Sequence, residues 1–356
     1  MAHASLDTSR IAASLQHALP RIKRWILPLA VMNLAVYLLW LASTWPLGFD
    51  ARAYLTAAQA VVDGTRLIDL AHPERLGWAS AEDTPPYLYP PLLAILCVPL
   101  TFVAPSVAHM VWFVTIVAVS LLLIPLLRPF VGWRIAVLGV LLFAPTWRSA
   151  WLGQINAVIA LTYALALLAT QRKQMGRAGG WLMIGALFKL VPAIALLVLA
   201  ARRSWYSLLA AGLVGGSVFA LSLPVVGVAS WRDGVLAAAV VPWRLRSMFS
   251  WPGQASYWLG DPGVVLGYAI TAMLLISTLV RAPKVPPLLA LSAAIILPLL
   301  IARVTWDHHA LMALPALAVL WQWSRRGQLL AISTWLLLTT INDITMPSML
   351  TLCSAA

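Results

Sequence analysis

Long apolar runs follow one another along almost the whole chain and are separated by short loops. A run of about 20 apolar residues can cross a bilayer as a helix, and about eleven such runs can be read here. Their approximate limits are 25–45, 90–104, 107–127, 133–147, 154–170, 180–200, 205–225, 263–280, 285–302, 309–323 and 328–345. Charged residues make up 10% of the chain, against about 25% in an average soluble domain. The sequence therefore predicts an all-α polytopic integral membrane protein, with one transmembrane domain over residues 1–356.

The charged residues predict how this domain is oriented. The chain has 24 Lys and Arg against 11 Asp and Glu, a net charge of +13, and basic loops of membrane proteins stay on the cytoplasmic side. We therefore attribute the positive charge to membrane orientation and expect no nucleic acid partner. Arg21, Lys23 and Arg24 precede the first apolar run, and no small-residue cleavage pattern follows it. We expect the N-terminus to stay attached and cytoplasmic.

One basic loop disagrees with simple alternation of the spans. Arg172, Lys173 and Arg177 would fall on the outer side, against the positive-inside bias. A re-entrant segment within 133–153, balanced by a hairpin around 189–192, would remove the conflict and bring residues 153–156 to the outer face. The sequence leaves both arrangements open.

Two long outer loops are predicted, over residues 46–89 and 226–262. The first contains short amphipathic pieces, 57–62 and 67–70, suited to lying at the membrane interface. The second is rich in Trp and Arg. Neither an internal repeat nor a Gly-rich phosphate loop is evident, and two cysteines offer no disulfide framework or metal set.

Asp50 follows the first predicted span directly and is a candidate general base. A carboxylate that is partly desolvated at a helix end can have a raised pKa and accept a proton from an attacking hydroxyl. The alternative is a loop acid that pairs with Arg52 or serves only as an interfacial charge.

The run Trp306-Asp307-His308-His309 opens a later apolar span. His308 and His309 could hydrogen-bond a sugar or a phosphate, and a helix N-terminus favours an anion. Metal ligation is disfavoured because adjacent histidines diverge on a helix and no third ligand lies at suitable spacing. An interfacial cluster without function is the remaining reading.

Several polar residues in apolar surroundings are further candidates. Tyr87 and Tyr89, before a proline pair, suit either a helix start or a stacking face for a sugar. Lys189, inside an apolar span, needs an anionic partner such as a lipid phosphate, or must reach water. Weaker candidates are Gln154 and Asn156, which could join helices to each other, and Arg244, which could bind a phosphate.

In their order along the chain these motifs resemble a known family. They are Asp-x-x-x-Tyr at Asp50 and Tyr54, Gly64, Tyr-x-Tyr-Pro-Pro at 87–91, Gly-Gln-x-Asn at 153–156, Lys-x-x-Pro at 189–192 and Trp-x-His-His at 306–309. This set is similar to the polyprenol-phosphate-dependent GT-C glycosyltransferases of family 87, which include mycobacterial α-1,2-mannosyltransferases acting on phosphatidylinositol mannosides. The resemblance extends over residues 48–309.

The resemblance implies a GT-C fold and a sugar-transfer reaction. A polyprenyl-phosphate-linked hexose, such as mannose, would enter from the outer leaflet, and a hydroxyl of a lipid or glycan acceptor would attack it with inversion. Asp50 would be the base, His309 and His308 would help to bind donor or acceptor, and Tyr87 and Tyr89 would line the site. The implied location is the non-cytoplasmic face of a bacterial plasma membrane, with no cofactor. A transporter or flippase for a lipid-linked or small solute is the alternative.

Overall fold

A computed structural model describes residues 28, 31–32, 34–68, 84–240, 250–302 and 305–344, which are helical apart from their connections. The chain divides into two compact units, residues 1–44 and 45–356. In the first unit, the apolar helix α1 covers Leu34–Thr44. The hydroxyls of Ser43 and Thr44 donate to the carbonyl of Trp40 near its end.

The second unit contains the remaining helices. They are α2 (Ala51–Val62), α3 (Leu92–Cys97), α4 (Pro105–Val131), α5 (Trp133–Leu141), α6 (Ala144–Leu152), α7 (Asn156–Gln171), α8 (Met175–Phe188), α9 (Ala193–Ala201), α10 (Trp205–Val240), α11 (Trp251–Arg281), α12 (Pro287–Ile301), α13 (Leu314–Trp323) and α14 (Arg325–Ile344). Short 3-10 helices cover Val98–Phe102, Ala282–Lys284 and Asp307–Ala313. Among the described residues, the predicted all-α fold class is confirmed.

Three helical segments among the described residues are long and apolar enough to cross a membrane. They are Pro105–Val131, Trp205–Ala237 and Trp251–Lys284. Helices α5 and α6 add a fourth if they form one span, although the pair is bent by 50° at the break between Leu141 and Ala144. Helices α7 and α12 are apolar but shorter. The count of about eleven spans stays a prediction.

The structure differs from the sequence prediction over residues 226–262. Instead of a long loop, α10 continues to Val240 and α11 begins at Trp251, while residues 241–249 lie outside the described ranges. Each helix has one non-helical residue in this region, Gly227 and Gly260. Helical backbone satisfies its own hydrogen bonds, which an irregular segment beside lipid cannot do.

Two other predicted spans are interrupted. In 180–200, α8 ends at Phe188 and α9 begins at Ala193, because a helix through Pro192 would lose a backbone hydrogen bond. In 309–323, a 3-10 helix precedes α13. These breaks place Lys189 and the two histidines on non-α backbone in the interior of the unit.

Helix α7 lies at the centre of the unit and contacts α4, α8, α12 and α13. Most of its side chains are buried, and many of these are alanine. Helix α8 packs closely on α10 through Gly179, where a Cβ would overlap the carbonyl group of Ser207. Small residues allow such close backbone approach between helices in membranes. This contact holds the helix that ends immediately before Lys189.

Gly179→Ala is therefore expected to destabilise the protein by about 1–3 kcal/mol, because the backbones of α8 and α10 must separate. The neighbouring Gly180→Ala is the matched control, since a Cβ there would lie 3.8 Å from Val214 Cγ2, an ordinary contact. Thermal unfolding of both purified variants in detergent measures the difference. Equal stabilities would contradict the close packing of α8 on α10.

Candidate active site

Asp50 is held at the start of α2 by backbone hydrogen bonds to the end of α6. Its amide donates to the carbonyl of Leu152, and the amide of Gly48 donates to the carbonyl of Trp151, each at 2.8 Å. These two bonds join segments that are about 100 residues apart in sequence. The end of α6 therefore determines where Asp50 lies.

Gly153 allows this approach. It ends α6 in the left-handed conformation, with φ of +77°. A Cβ at this position would lie 2.7 Å from Cβ of Ala51, closer than real Cβ atoms come. Its carbonyl accepts a 2.7 Å hydrogen bond from Nε1 of Trp112 on α4. The first position of the Gly-Gln-x-Asn motif thus requires glycine, because any side chain there would collide with Ala51.

Gln154, the next residue, gathers three candidate residues around its amide. Its Oε1 accepts from the hydroxyls of Tyr54 at 3.2 Å and Tyr89 at 3.3 Å. Its side chain also lies close to the Asp50 carboxyl, where it lowers the pKa of that group. An amide donates through nitrogen and accepts through oxygen, so Gln154 orients Asp50 on one side and the tyrosines on the other.

The Asp50 carboxyl has an altered proton affinity. Burial raises its pKa above the usual value, although His308, Gln154, Lys189 and Arg148 each act in the opposite direction. Loss of water disfavours the ionised form, while nearby cations and hydrogen-bond donors favour it. A carboxylate in this setting is a stronger base than a solvated aspartate.

Lys189 lies at the break between α8 and α9, beside two other candidates. Its Nζ donates to Oδ1 of Asn156 at 3.1 Å and lies 2.8 Å from Nε2 of His309. The amine is also 5.6 Å from the centre of the Tyr89 ring. Asn156 in turn donates to the carbonyl of His308 at 3.3 Å. The start of α7, the α8–α9 break and the 3-10 helix before α13 therefore meet at this point.

His308 and His309 lie side by side on that 3-10 helix, with ring centres 4.6 Å apart. Nδ1 of His309 accepts a 3.0 Å hydrogen bond from the amide of Trp306, which fixes the ring. Asp307, also buried, contacts Arg148 of α6 through its carboxylate and accepts a 2.7 Å hydrogen bond from the amide of His308. The histidines thus lie against a buried ion pair.

Two remaining candidates differ in outcome. Tyr87 lies beside Tyr54 and Tyr89, but its hydroxyl donates to the carbonyl of Pro90 and accepts from the amide of Ala94. This arrangement favours the helix-start reading of Tyr87. Arg244 lies outside the described residues.

Arg52, the alternative partner considered for Asp50, donates to the carbonyl of Phe49 and lies over that ring. Among the described residues, no three His, Cys, Asp or Glu side chains come together as a metal site.

Arg148 and Asp307 received no role from the sequence. Asp307 stood within the Trp306–His309 run, and Arg148 directly follows a predicted apolar span. A lone arginine and a lone aspartate in apolar surroundings are a signal for a buried pair. Only the fold shows that these two, which are 159 residues apart, are partners.

Comparison with known proteins identifies the class of protein to which this site belongs. The chain is 26% identical over 304 residues to a polyprenol-phosphate-mannose-dependent α-(1-2)-phosphatidylinositol pentamannoside mannosyltransferase of Mycolicibacterium smegmatis, an alignment that covers 80% of this chain and 70% of the relative. The profile of glycosyltransferase family 87 matches residues 87–347. The chain belongs to glycosyltransferase family 87 and is a membrane glycosyltransferase, as the resemblance implied. No solved structure matches it significantly.

Gly153→Ala is expected to reduce both stability and sugar transfer, because the new methyl group would push Ala51, and with it Asp50, away from α6. The overlap and the strained backbone together should cost about 1–3 kcal/mol. Gly64→Ala is the matched control: Gly64 also has a positive φ, +65°, just after the end of α2, but a Cβ there would meet nothing within 4 Å. Thermal unfolding and a transfer assay on both variants separate the steric contact from backbone strain. Equal effects would show that the approach to Ala51 has no importance.

Proposed function

We propose that the protein transfers a hexose, most simply mannose, from a polyprenyl-phosphate donor to a hydroxyl of a lipid or glycan acceptor, with Asp50 as general base. The observation that carries this proposal is the cluster in which the half-buried Asp50 and Lys189 lie with the buried His308 and His309. One carboxylate of raised pKa lies in it with three nitrogen side chains suited to a phosphate.

The reaction is a single displacement at the anomeric carbon. The acceptor oxygen forms a bond to this carbon, and its proton passes to the Asp50 carboxylate. The bond from the anomeric carbon to the phosphate oxygen breaks, and its electron pair leaves with the polyprenyl phosphate. Attack from the side opposite the leaving group inverts the configuration. A retaining path would need a second carboxylate as nucleophile, and Asp307 is already engaged by Arg148 and by the His308 amide.

The leaving group needs positive charge rather than a strong acid. Polyprenyl phosphate departs as an anion, so hydrogen-bond donors and cations placed beside its oxygens stabilise the transition state. Lys189 and His309 lie together and are joined to the rest of the cluster through Asn156. We assign the donor phosphate to this side of the cluster and the acceptor hydroxyl to the Asp50 side.

The membrane arrangement belongs to the same proposal. A multi-pass GT-C domain of about eleven spans, with Asp50 and the histidines on the non-cytoplasmic face, would admit a lipid-linked donor laterally from the outer leaflet. The acidic residues of the 46–89 segment and the basic Arg202–Arg203 and Arg325–Arg326 pairs support this orientation. The relative from Mycolicibacterium smegmatis is a polyprenol-phosphate-mannose-dependent phosphatidylinositol pentamannoside mannosyltransferase, which supports the choice of donor and acceptor.

Asp50→Asn is expected to reduce transfer by about 10²–10⁴-fold, since the amide cannot accept the hydroxyl proton. Purified wild type and variant would be incubated with radiolabelled polyprenyl-phosphate-mannose and a total lipid extract, and labelled lipid products counted. Asp63→Asn is the matched control, because Asp63 caps the opposite end of α2, is exposed and accepts a hydrogen bond from Gln59. Full activity of Asp50→Asn would remove Asp50 as the base.

The pH dependence of transfer provides a separate prediction. Because the folded-state pKa of Asp50 is raised, the base becomes protonated at a higher pH than an ordinary aspartate. We expect kcat to fall as pH decreases through this raised pKa. For stability the sign is opposite: the group favours the folded state below its unfolded pKa, and this contribution is lost as pH rises through the folded value. Asp50→Asn should therefore unfold no earlier than wild type at neutral pH, which a thermal melt checks alongside the pH–rate profile.

A further inference from the structure

We propose that Arg148 and Asp307 are positioning residues that hold His308 at a set distance from Asp50, so that its imidazole Nε2 donates a hydrogen bond to the departing phosphate. This inference rests on the proposed sugar transfer. It assigns a role to two buried residues that the reaction described above does not use.

The Arg148–Asp307 pair lies in the interior of the helical unit. Arg148 is 2% exposed and Asp307 4% exposed, and Nη1 of Arg148 contacts Oδ2 of Asp307. Removing two charges from water is costly, and a buried pair is often no more stabilising than apolar residues of similar volume. Stability alone therefore does not explain why a charged pair is buried here. Placement of a neighbouring group is a role that would explain it.

The neighbouring group is His308, which is incompletely satisfied. It is 5% exposed, and neither ring nitrogen has a hydrogen-bond partner among the residues that the structure describes. Nδ1 nevertheless lies 3.3 Å from Oδ1 of Asp307, the oxygen that accepts the His308 backbone amide. Buried polar atoms almost always have partners, so an unpartnered Nε2 indicates a ligand atom that completes it.

Helix α6 relates this histidine to the base. Arg148 belongs to α6. Carbonyls at the end of the same helix accept hydrogen bonds from the amides of Gly48 and Asp50, which lie in the segment before α2. One short helix thus anchors Asp50 through its last turn and Asp307 through its middle. The distance between the proton acceptor and His308 is therefore set by a rigid element of nine residues.

The chemistry of the step follows from this arrangement. When donor is bound, an Nδ1–H facing Asp307 and an Nε2–H facing the phosphate make the ring an imidazolium between two anions. As the bond from the anomeric carbon to the phosphate oxygen breaks, its electron pair moves onto the phosphate, and the Nε2–H hydrogen bond strengthens with the growing charge. His308 keeps its proton, while the acceptor's proton goes to Asp50.

A double-mutant cycle on the full-length enzyme tests the inference. Asp307→Asn and His308→Ala should each lower kcat on the order of 10²-fold, with little change in the KM for polyprenyl-phosphate-mannose, because the contact strengthens in the transition state. If Asp307 acts through His308, the double variant should be no slower than the slower single variant. Asp233→Asn is the matched control: Asp233 is also buried and paired with an arginine, Arg232, and kcat should stay near the wild-type value.

Losses that multiply in the double variant would overturn the inference, because Asp307 would then have a purely structural role. A rise in KM with unchanged kcat would overturn it too, since His308 would act only in binding. If wild type makes no labelled product, the proposed function fails, and this inference fails with it. Product from wild type together with multiplied losses refutes the inference alone.

Asp307→Glu is a second variant that keeps the inference testable if Asp307→Asn does not fold. It keeps the charge that neutralises Arg148 but moves the carboxylate by one methylene relative to His308. We expect a thermal melt near that of wild type and a kcat at least 10-fold lower, again with little further loss in the His308→Ala background. Wild-type kcat in a folded Asp307→Glu protein would also overturn the inference.

Discussion

The close approach of the Asp50 segment to the end of α6 is the contact on which the site depends. It brings backbone amides of residues 48 and 50 to the carbonyls of residues 151 and 152, and it is possible because residue 153 has no side chain. Once this contact forms, Gln154 necessarily follows beside the Asp50 carboxyl. The Gln154 amide then lies beside the base and accepts hydrogen bonds from the two tyrosines.

A second constraint is the scarcity of water and of polar partners inside an apolar chain. Polar side chains that are buried there must satisfy one another. Asn156 joins Lys189 to the 3-10 helix of the histidines, and Arg148 joins the same 3-10 helix to α6. The groups left incompletely satisfied by this network are of most interest for chemistry, because a substrate can complete them. His308 is such a group.

Breaks in the helices place these groups correctly. In a continuous helix through 180–200, side chains would point in all directions around the axis. Because the helix breaks before Pro192, Lys189 has an extended backbone conformation, and its amine reaches Asn156. The bend between α5 and α6 and the 3-10 helix at Asp307–Ala313 act similarly. A proline at the start of the following helix marks each break in the sequence, at Pro145, Pro192 and Pro315. The direction in which each break turns the chain depends on what packs against it.

The sequence by itself determined the class: the apolar runs require helices in a membrane, and the order of short motifs indicated the family that the profile match then identified. It also selected most residues of the cluster, because charged and amide side chains are conspicuous in apolar surroundings. It did not reveal that the Tyr87 hydroxyl is hydrogen-bonded to backbone groups or that most of residues 226–240 and 251–262 are helical. Nor did it reveal that Arg148 and Asp307 are partners. Those features depend on which segments touch across long sequence separations. Only the tertiary structure decides that, because the contacts result from packing of the whole unit rather than from local residue preferences.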